Sequence, residues 1–173
     1  MEDLKKLIRE VPDFPKPGIL FYDITTLLMS PIGFRRVIDL LETRYAPMKP
    51  AKVVDIDARG FIFGGALALR LGVGLAPVRK KGKLPWQTVK ASYELEYGVD
   101  EVHMHKDAVG DGEDVVIVDD LLATGGTAGA AIDLVQQCGG RVLECAFIIE
   151  LDFLKGREKL NPVPAFSIVH YDK

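Results

Sequence analysis

The chain has 173 residues, 48% of them hydrophobic and 27% charged, with a formal net charge of -3. That size and apolar content suit one domain, residues 1–173, with its core between layers; the lack of a net basic charge argues against partners such as nucleic acid or an anionic membrane. Cys138 and Cys145 fit neither a disulfide framework nor a zinc site and point to a reduced, cytoplasmic setting, and no apolar run reaches the ~20 residues needed to cross a bilayer.

The opening MEDLKKLIREVPDFP places Leu4, Leu7, Ile8 and Val11 at helical spacing among interleaved acids and bases, which predicts a short helix and not a signal peptide. In PDFPKPGILFYDIT the prolines and glycine predict an irregular, structured loop that carries Phe14, Phe21 and Tyr22. PIGFRRVIDLLETRYA then lines up Phe34, Val37, Ile38, Leu41 and Tyr45 on one helical face, with Ser30 as N-cap and Pro31 as first helical residue.

Strands and helices alternate from there: KVVDID, GFIFGGALALRLG and GLAPVRK, and later DVVIVD, TAGAAIDLVQQC and RVLECAFIIEL. Apolar strands without strict alternation, joined through helices, predict an α/β fold with a Rossmann-like parallel sheet flanked by helices. The segment RKKGKLPWQTVKASYELEYGVDEVHMHKDA interrupts that pattern with a basic run, Gly82 and Pro85, followed by two stretches able to pair as strands. A long polar segment of this kind is a functional lid or is poorly ordered. Trp86 within it is either a packing anchor or exposed. His103 and His105 have a spacing able to hold metal, but no third ligand is suggested nearby and a surface strand explains them.

The chemistry concentrates in VVIVDDLLATGGT, where an apolar strand runs into Asp119 and Asp120 and then into Ala123, Thr124, Gly125, Gly126 and Thr127. In a doubly wound sheet ligands bind at the carboxyl ends of the strands. Taken alone, the two acids equally suit a solvated strand end or a helix cap. The glycine turn entering a helix decides between these, because it exposes unpaired N–H groups at the positive end of the helix, with hydroxyl donors from Thr124 and Thr127. The loop lacks the lysine of a P-loop and the spacing of a dinucleotide fingerprint. Carboxylates beside a phosphate cradle suit a ribose 5-phosphate, the acids accepting hydrogen bonds from vicinal hydroxyls.

These residues resemble the phosphoribosyl pyrophosphate motif of the type I phosphoribosyltransferases, and DDLLATGGT is similar to that of the adenine phosphoribosyltransferases in particular. FPKPGILFYDIT, DARGFIFG, VRKKGKLP, SYELEYG and LKGREKL extend the resemblance over nearly the whole chain. It implies the type I phosphoribosyltransferase fold with a small N-terminal hood, a base-binding segment over residues 1–30, and a flexible β-hairpin lid over residues 80–98. The implied activity is a pentosyl (glycosyl) transfer in purine salvage: the 5-phosphoribosyl group of phosphoribosyl pyrophosphate passes to adenine, giving AMP and pyrophosphate. Magnesium comes with the donor, with no direct protein ligand implied, and a homodimer is implied as well.

On this resemblance Asp119 and Asp120 hold the ribose hydroxyls, and Ala123 through Thr127 hold the 5-phosphate. Arg59, Arg79, Lys80 and Lys83 meet the pyrophosphate, and Glu96 is the general base for the purine ring proton. Without the resemblance Glu96 reads as a surface acid, and Lys80, Lys81 and Lys83 as a solvated basic loop. Phe21 matches the stacking residue for the base and otherwise suits ordinary core, while Leu20, Tyr22 and Leu151 fall where the adenine edge is met, largely through backbone groups. Two positions depart from the family pattern: Tyr22 stands where arginine or lysine is usual, and Asp57 where glutamate or serine is common. The alternatives are transfer to another purine base, or a non-catalytic regulator that senses the donor.

Overall fold

The computed structural model describes residues 1–95 and 97–173. In chain order its elements begin with Glu2–Lys5 (α1), Arg9–Pro12 (β1), Leu20–Asp23 (β2), Thr25–Leu28 (α2) and Pro31–Tyr45 (α3). Lys52–Ile56 (β3), Gly60–Leu71 (α4), Gly74–Lys80 (β4), Thr88–Glu94 (β5) and Val99–His105 (β6) follow. Asp114–Leu122 (β7), Gly126–Gln137 (α5), Arg141–Leu151 (β8) and Ala165–Tyr171 (β9) complete the chain.

Consecutive valines and isoleucines in β3 and β7 can all be buried only if both faces of the sheet are covered, and they are. Val53, Val116 and Val118 join Val37, Leu41, Tyr45, Phe63 and Leu67 in the core under α3 and α4. Their neighbours Val54, Ile56, Val115 and Ile117 join Ala128, Ala131, Leu134 and Val135 under α5. The period-two alternation of a strand thus feeds two cores. The seven-stranded sheet has the order β5-β6-β4-β3-β7-β8-β9. Its β4, β3, β7, β8 and β9 run parallel, so their carboxyl ends meet on one side, while β6 pairs antiparallel with β4 and β5.

Helix α3 forms as its sequence predicts: Ser30 Oγ accepts from the Gly33 N–H at 3.1 Å, Pro31 opens the helix, and Phe34 meets Phe63 edge to face at 5.8 Å. Elsewhere the structure departs from expectation. The N-terminal helix stops at Lys5, and Val11 lies in β1. Leu4 and Ile8 are buried as that spacing requires, but the chain turns where the Thr26 hydroxyl donates to the Leu7 carbonyl at 2.6 Å. The expected loop around Phe21 is a two-stranded antiparallel sheet, with Val11 opposite Phe21. Strand β7 runs through both acids to Leu122, and β9 is a further strand. His103 is tied within the sheet, to Thr88 at 2.8 Å and Glu101 at 2.9 Å, and Trp86 is exposed, its ring edge-on to His105.

One buried group in β3 is not satisfied. Asp55 is fully buried, neither carboxylate oxygen has a hydrogen-bond partner among the described residues, and its Cβ lies against α4, where a Cβ on Gly64 would come within 2.5 Å. Burial, helped by the nearby charge of Asp57, pushes its carboxyl from 3.8 up to about 7. Between these two values the folded chain keeps a proton that the unfolded chain has released, so stability falls as pH rises through that window, by up to about 1.4 kcal/mol per pH unit. Asp55→Asn removes this dependence. In urea titrations the variant is expected to be the more stable protein at about pH 8, with the difference shrinking toward about pH 4; parallel pH profiles would contradict the assignment.

Candidate active site

The parallel strands deliver their functional residues to one cleft at the carboxyl edge of the sheet. Register aligns Asp55 of β3 with Val118 of β7, which brings the turn after β3 level with the acids at the end of β7. The cleft, 340 Å³ in volume, is walled by residues 56–59, Lys80, Tyr93 and residues 119–128. Asp119, Asp120, Arg59, Lys80 and Ala123 through Thr127 therefore line one cleft, as their spacing along the chain cannot reveal.

A carboxylate out of water needs a partner, and Asp120, 7% exposed, has one: Arg59 Nε donates to its Oδ2 at 2.5 Å. The Asp120 N–H donates to Asp119 Oδ1 at 2.8 Å. Burial, and then the adjacent charge of Asp120, hold the Asp119 carboxyl well above the usual carboxylate range. Two more cations at the edge are likewise paired: Arg79 Nε donates to Asp57 Oδ2 at 2.9 Å, and Lys80 Nζ meets Asp100 Oδ2 and the Tyr93 hydroxyl. Asp57, one of the two departures from the family pattern, thus has a defined partner.

The phosphate cradle is built from a left-handed residue. Gly125, with φ +78°, caps α5, and the first turn of that helix carries no acidic side chain to neutralise its positive end. The N–H groups that open a helix have no intrahelical partner, so those of α5 face the cleft wall that residues 125–128 form. The segment after β8 braces this loop. A Cβ on Gly125 would stand 2.3 Å from the Gly156 carbonyl oxygen, and one on Gly156 equally close to that of Ala123. Arg157 fixes the brace by donating to both Glu150 oxygens, at 2.6 and 2.7 Å, and to the Ala165 carbonyl. LKGREKL thus supports the glycine turn from behind.

The other expected site residues stand apart from this wall. Arg79 reaches Asp57 and, at 3.4 Å, the Lys83 carbonyl, and Lys83 is exposed. Glu96 lies outside the described residues. Leu20, Phe21 and Tyr22 occupy β2, and Leu151 ends β8; none of them walls the cleft. Phe21 is half-buried edge to face with Phe14 at 5.1 Å. Tyr22 turns its ring into the core, stacked on Tyr171 at 3.6 Å, and its hydroxyl donates to the Lys173 carbonyl at 2.7 Å. A ligand at β2 is left with the backbone of Tyr22. The charge of Asp23 acts on Arg59, which sets the end of β2 beside the cleft. Tyr93 is among the wall residues that sequence reasoning missed; it shares a strand face with Ala91, buried two residues earlier.

A magnesium ion at the cleft would meet the acid pair. Asp119 and Asp120 offer the oxygen ligands such an ion takes, but Asp120 is engaged by Arg59. The group of three metal-capable side chains among the described residues, Glu150, Asp152 and His170, does not wall the cleft.

Gly125→Ala tests the cradle. It forces a side chain into a left-handed position against the Gly156 carbonyl, and is expected to cost about 1–3 kcal/mol of stability and to weaken phosphate-ligand binding by calorimetry. Gly65→Ala, inside α4 where a Cβ meets nothing within 4 Å, is the control expected to leave binding unchanged and to raise stability by about 0.5–1 kcal/mol; equal behaviour of the two variants would contradict the brace.

Known proteins share this arrangement. Residues 23–168 match the phosphoribosyl transferase domain. The adenine phosphoribosyltransferase of Solibacter usitatus is 61% identical over 173 residues, 100% of both chains, and that of Koribacter versatilis is 54% identical, covering 99% of this chain and 94% of the relative. Among solved structures, the adenine phosphoribosyltransferase of Thermoanaerobacter pseudethanolicus superposes with a TM-score of 0.95 at 50% identity, covering 98% of this chain and 99% of that one. The Saccharomyces cerevisiae enzyme, complexed with an imino-altritol bisphosphate and adenine, superposes with a TM-score of 0.93 at 46% identity, covering 96% and 97%. A domain match over residues 23–168 and identities of 54–61% over nearly the whole of both chains show that the chain belongs to the phosphoribosyl transferase family and, within it, to the adenine phosphoribosyltransferases.

Proposed function

We propose that the protein transfers the 5-phosphoribosyl group of phosphoribosyl pyrophosphate to adenine, forming AMP and pyrophosphate. The observation that carries this reading is the single cleft in which an acid pair, a helix-capping glycine loop and paired cations converge. The loop at Ala123 through Thr127 receives the 5-phosphate, and Asp119 and Asp120 accept from the ribose hydroxyls. A nitrogen lone pair of adenine forms the bond to C1 of the ribose while the bond from C1 to the pyrophosphate oxygen breaks, its electrons leaving with pyrophosphate. The ring proton of adenine passes to a base, a role assigned to Glu96 by family resemblance.

Positive charge that develops on the ribosyl ring is met by the acid pair. Arg59, Arg79, Lys80 and Lys83 meet the negative charge of the departing pyrophosphate, with magnesium carried in mainly on the donor's own oxygens adding to them. Residues 80–98, which include β5 of the hairpin, serve as the lid, keeping water from a reactive ribosyl centre. Adenine binds along β2 through Phe21 and the backbone of Leu20 and Tyr22, with Leu151 beside them.

The reading includes a homodimer, supported by the exposed Ile62 and Leu69, seven residues apart on one face of α4, and by Leu75 on β4. A cytoplasmic location is supported by the free thiols of Cys138 and Cys145. Among the described residues no helix is long and apolar enough to cross a membrane.

Incubation with magnesium phosphoribosyl pyrophosphate and each purine base, with the nucleotide measured, tests the assignment. AMP from adenine is expected, and turnover of guanine or xanthine without adenine would overturn it. Tyr22→Phe removes the hydroxyl bonded to Lys173 and leaves the backbone, so it is expected to lower stability by about 1 kcal/mol with the base preference unchanged. An altered base preference would show that the Tyr22 side chain reads the base.

A further inference from the structure

Lys80 differs from the other paired cations in where its carboxylate comes from. Arg59 and Arg79 are paired with Asp120 and Asp57, both of which wall the cleft. Asp100 belongs to the hairpin, on β6 directly opposite Tyr93 of β5, and is not a wall residue. Its Oδ2 takes the Lys80 ammonium and also accepts from the Tyr93 hydroxyl at 3.2 Å, while its Oδ1 is fixed by the Glu101 N–H at 2.8 Å. Tyr93 touches the cradle as well: a Cβ on Gly126, the first residue of α5, would stand 3.1 Å from Tyr93 Cδ2.

The carboxylate is therefore held rigidly where it can compete for a cation that also faces the cleft. The side chains of Lys80 and Asp100 are 51% and 28% exposed, and an ion pair this open to water is weak and readily exchanged. A pyrophosphate carries more charge than one carboxylate and wins that exchange.

We infer that Asp100 is a positioning residue for donor binding, an internal anion that holds Lys80 at the cleft wall until the donor's pyrophosphate takes the ammonium from it. The inference rests on the proposed function. Its consequence runs against ordinary expectation for an ion-pair residue: removing the Asp100 charge strengthens binding of the donor, because Lys80 no longer has an anion to leave.

Calorimetric titration with magnesium phosphoribosyl pyrophosphate tests this. Asp100→Asn is expected to bind the donor about 2- to 5-fold more tightly than the parent, and Asp100→Glu, which keeps the charge, to stay near the parent. In a Lys80→Met background the Asp100→Asn gain is expected to vanish, which no general effect on folding would produce. Asp100→Ser carries the same expectation should the asparagine variant fold poorly. Unchanged or weaker donor binding in Asp100→Asn, or the same gain without Lys80, overturns the inference while leaving the functional reading intact. A parent protein that does not bind the donor overturns the functional reading and this inference with it.

Discussion

The ion pair between Arg59 and Asp120 ties the carboxyl end of β3 to that of β7, and the rest of the site follows from it. A carboxylate with only a tenth of its side chain exposed costs several kcal/mol to keep ionised without a partner. With Arg59 in place Asp120 has a partner, while burial and the adjacent Asp120 charge hold the Asp119 carboxyl above the usual carboxylate range. The cleft is thereby balanced without a ligand. A polyanion entering it exchanges partners with groups already in position, which keeps the reorganisation small.

The two sides of the cleft are built differently, and the difference suits what each side holds. On the cradle side, Gly125 and Gly156 interlock through backbone, and Arg157, Glu150 and Ser167 lock the brace from behind. Close backbone approach and the hydrogen bonds of Glu150 hold that side in place, as suits the proposed site of a phosphate that the reaction leaves unchanged. On the other side Lys80, Asp100 and Tyr93 join a sheet strand to a hairpin through side chains open to water. On the proposed function that side meets the departing pyrophosphate, and its contacts, open to water, are of the kind that exchange.

Much of this was legible in the sequence, and the limits have physical causes. The parallel sheet announces itself through the unbroken runs VVDI and VVIV, and α3 through its cap and its spacing, because those signals are local. The cradle is legible for the same reason, as a glycine turn entering a helix. The pairing of β1 with β2 is not, because prolines and Gly18 dominate the local signal while the hydrogen bonds come from across the hairpin. Nor is the orientation of Tyr22, which is set by Lys173, 151 residues away. Tyr93 and Asp100 gain meaning only once the hairpin brings them to Lys80, 13 and 20 residues back along the chain.

The exchange of partners at Arg59 is most directly tested by a crystal structure of the protein with phosphoribosyl pyrophosphate, or a stable analogue, and magnesium. The expected result is a guanidinium moved off Asp120 and onto the pyrophosphate, the ribose hydroxyls on Asp119 and Asp120, and the 5-phosphate against the N–H groups of residues 123–127. A donor bound with the pair between Arg59 and Asp120 intact, or with its phosphate away from that loop, would contradict the account.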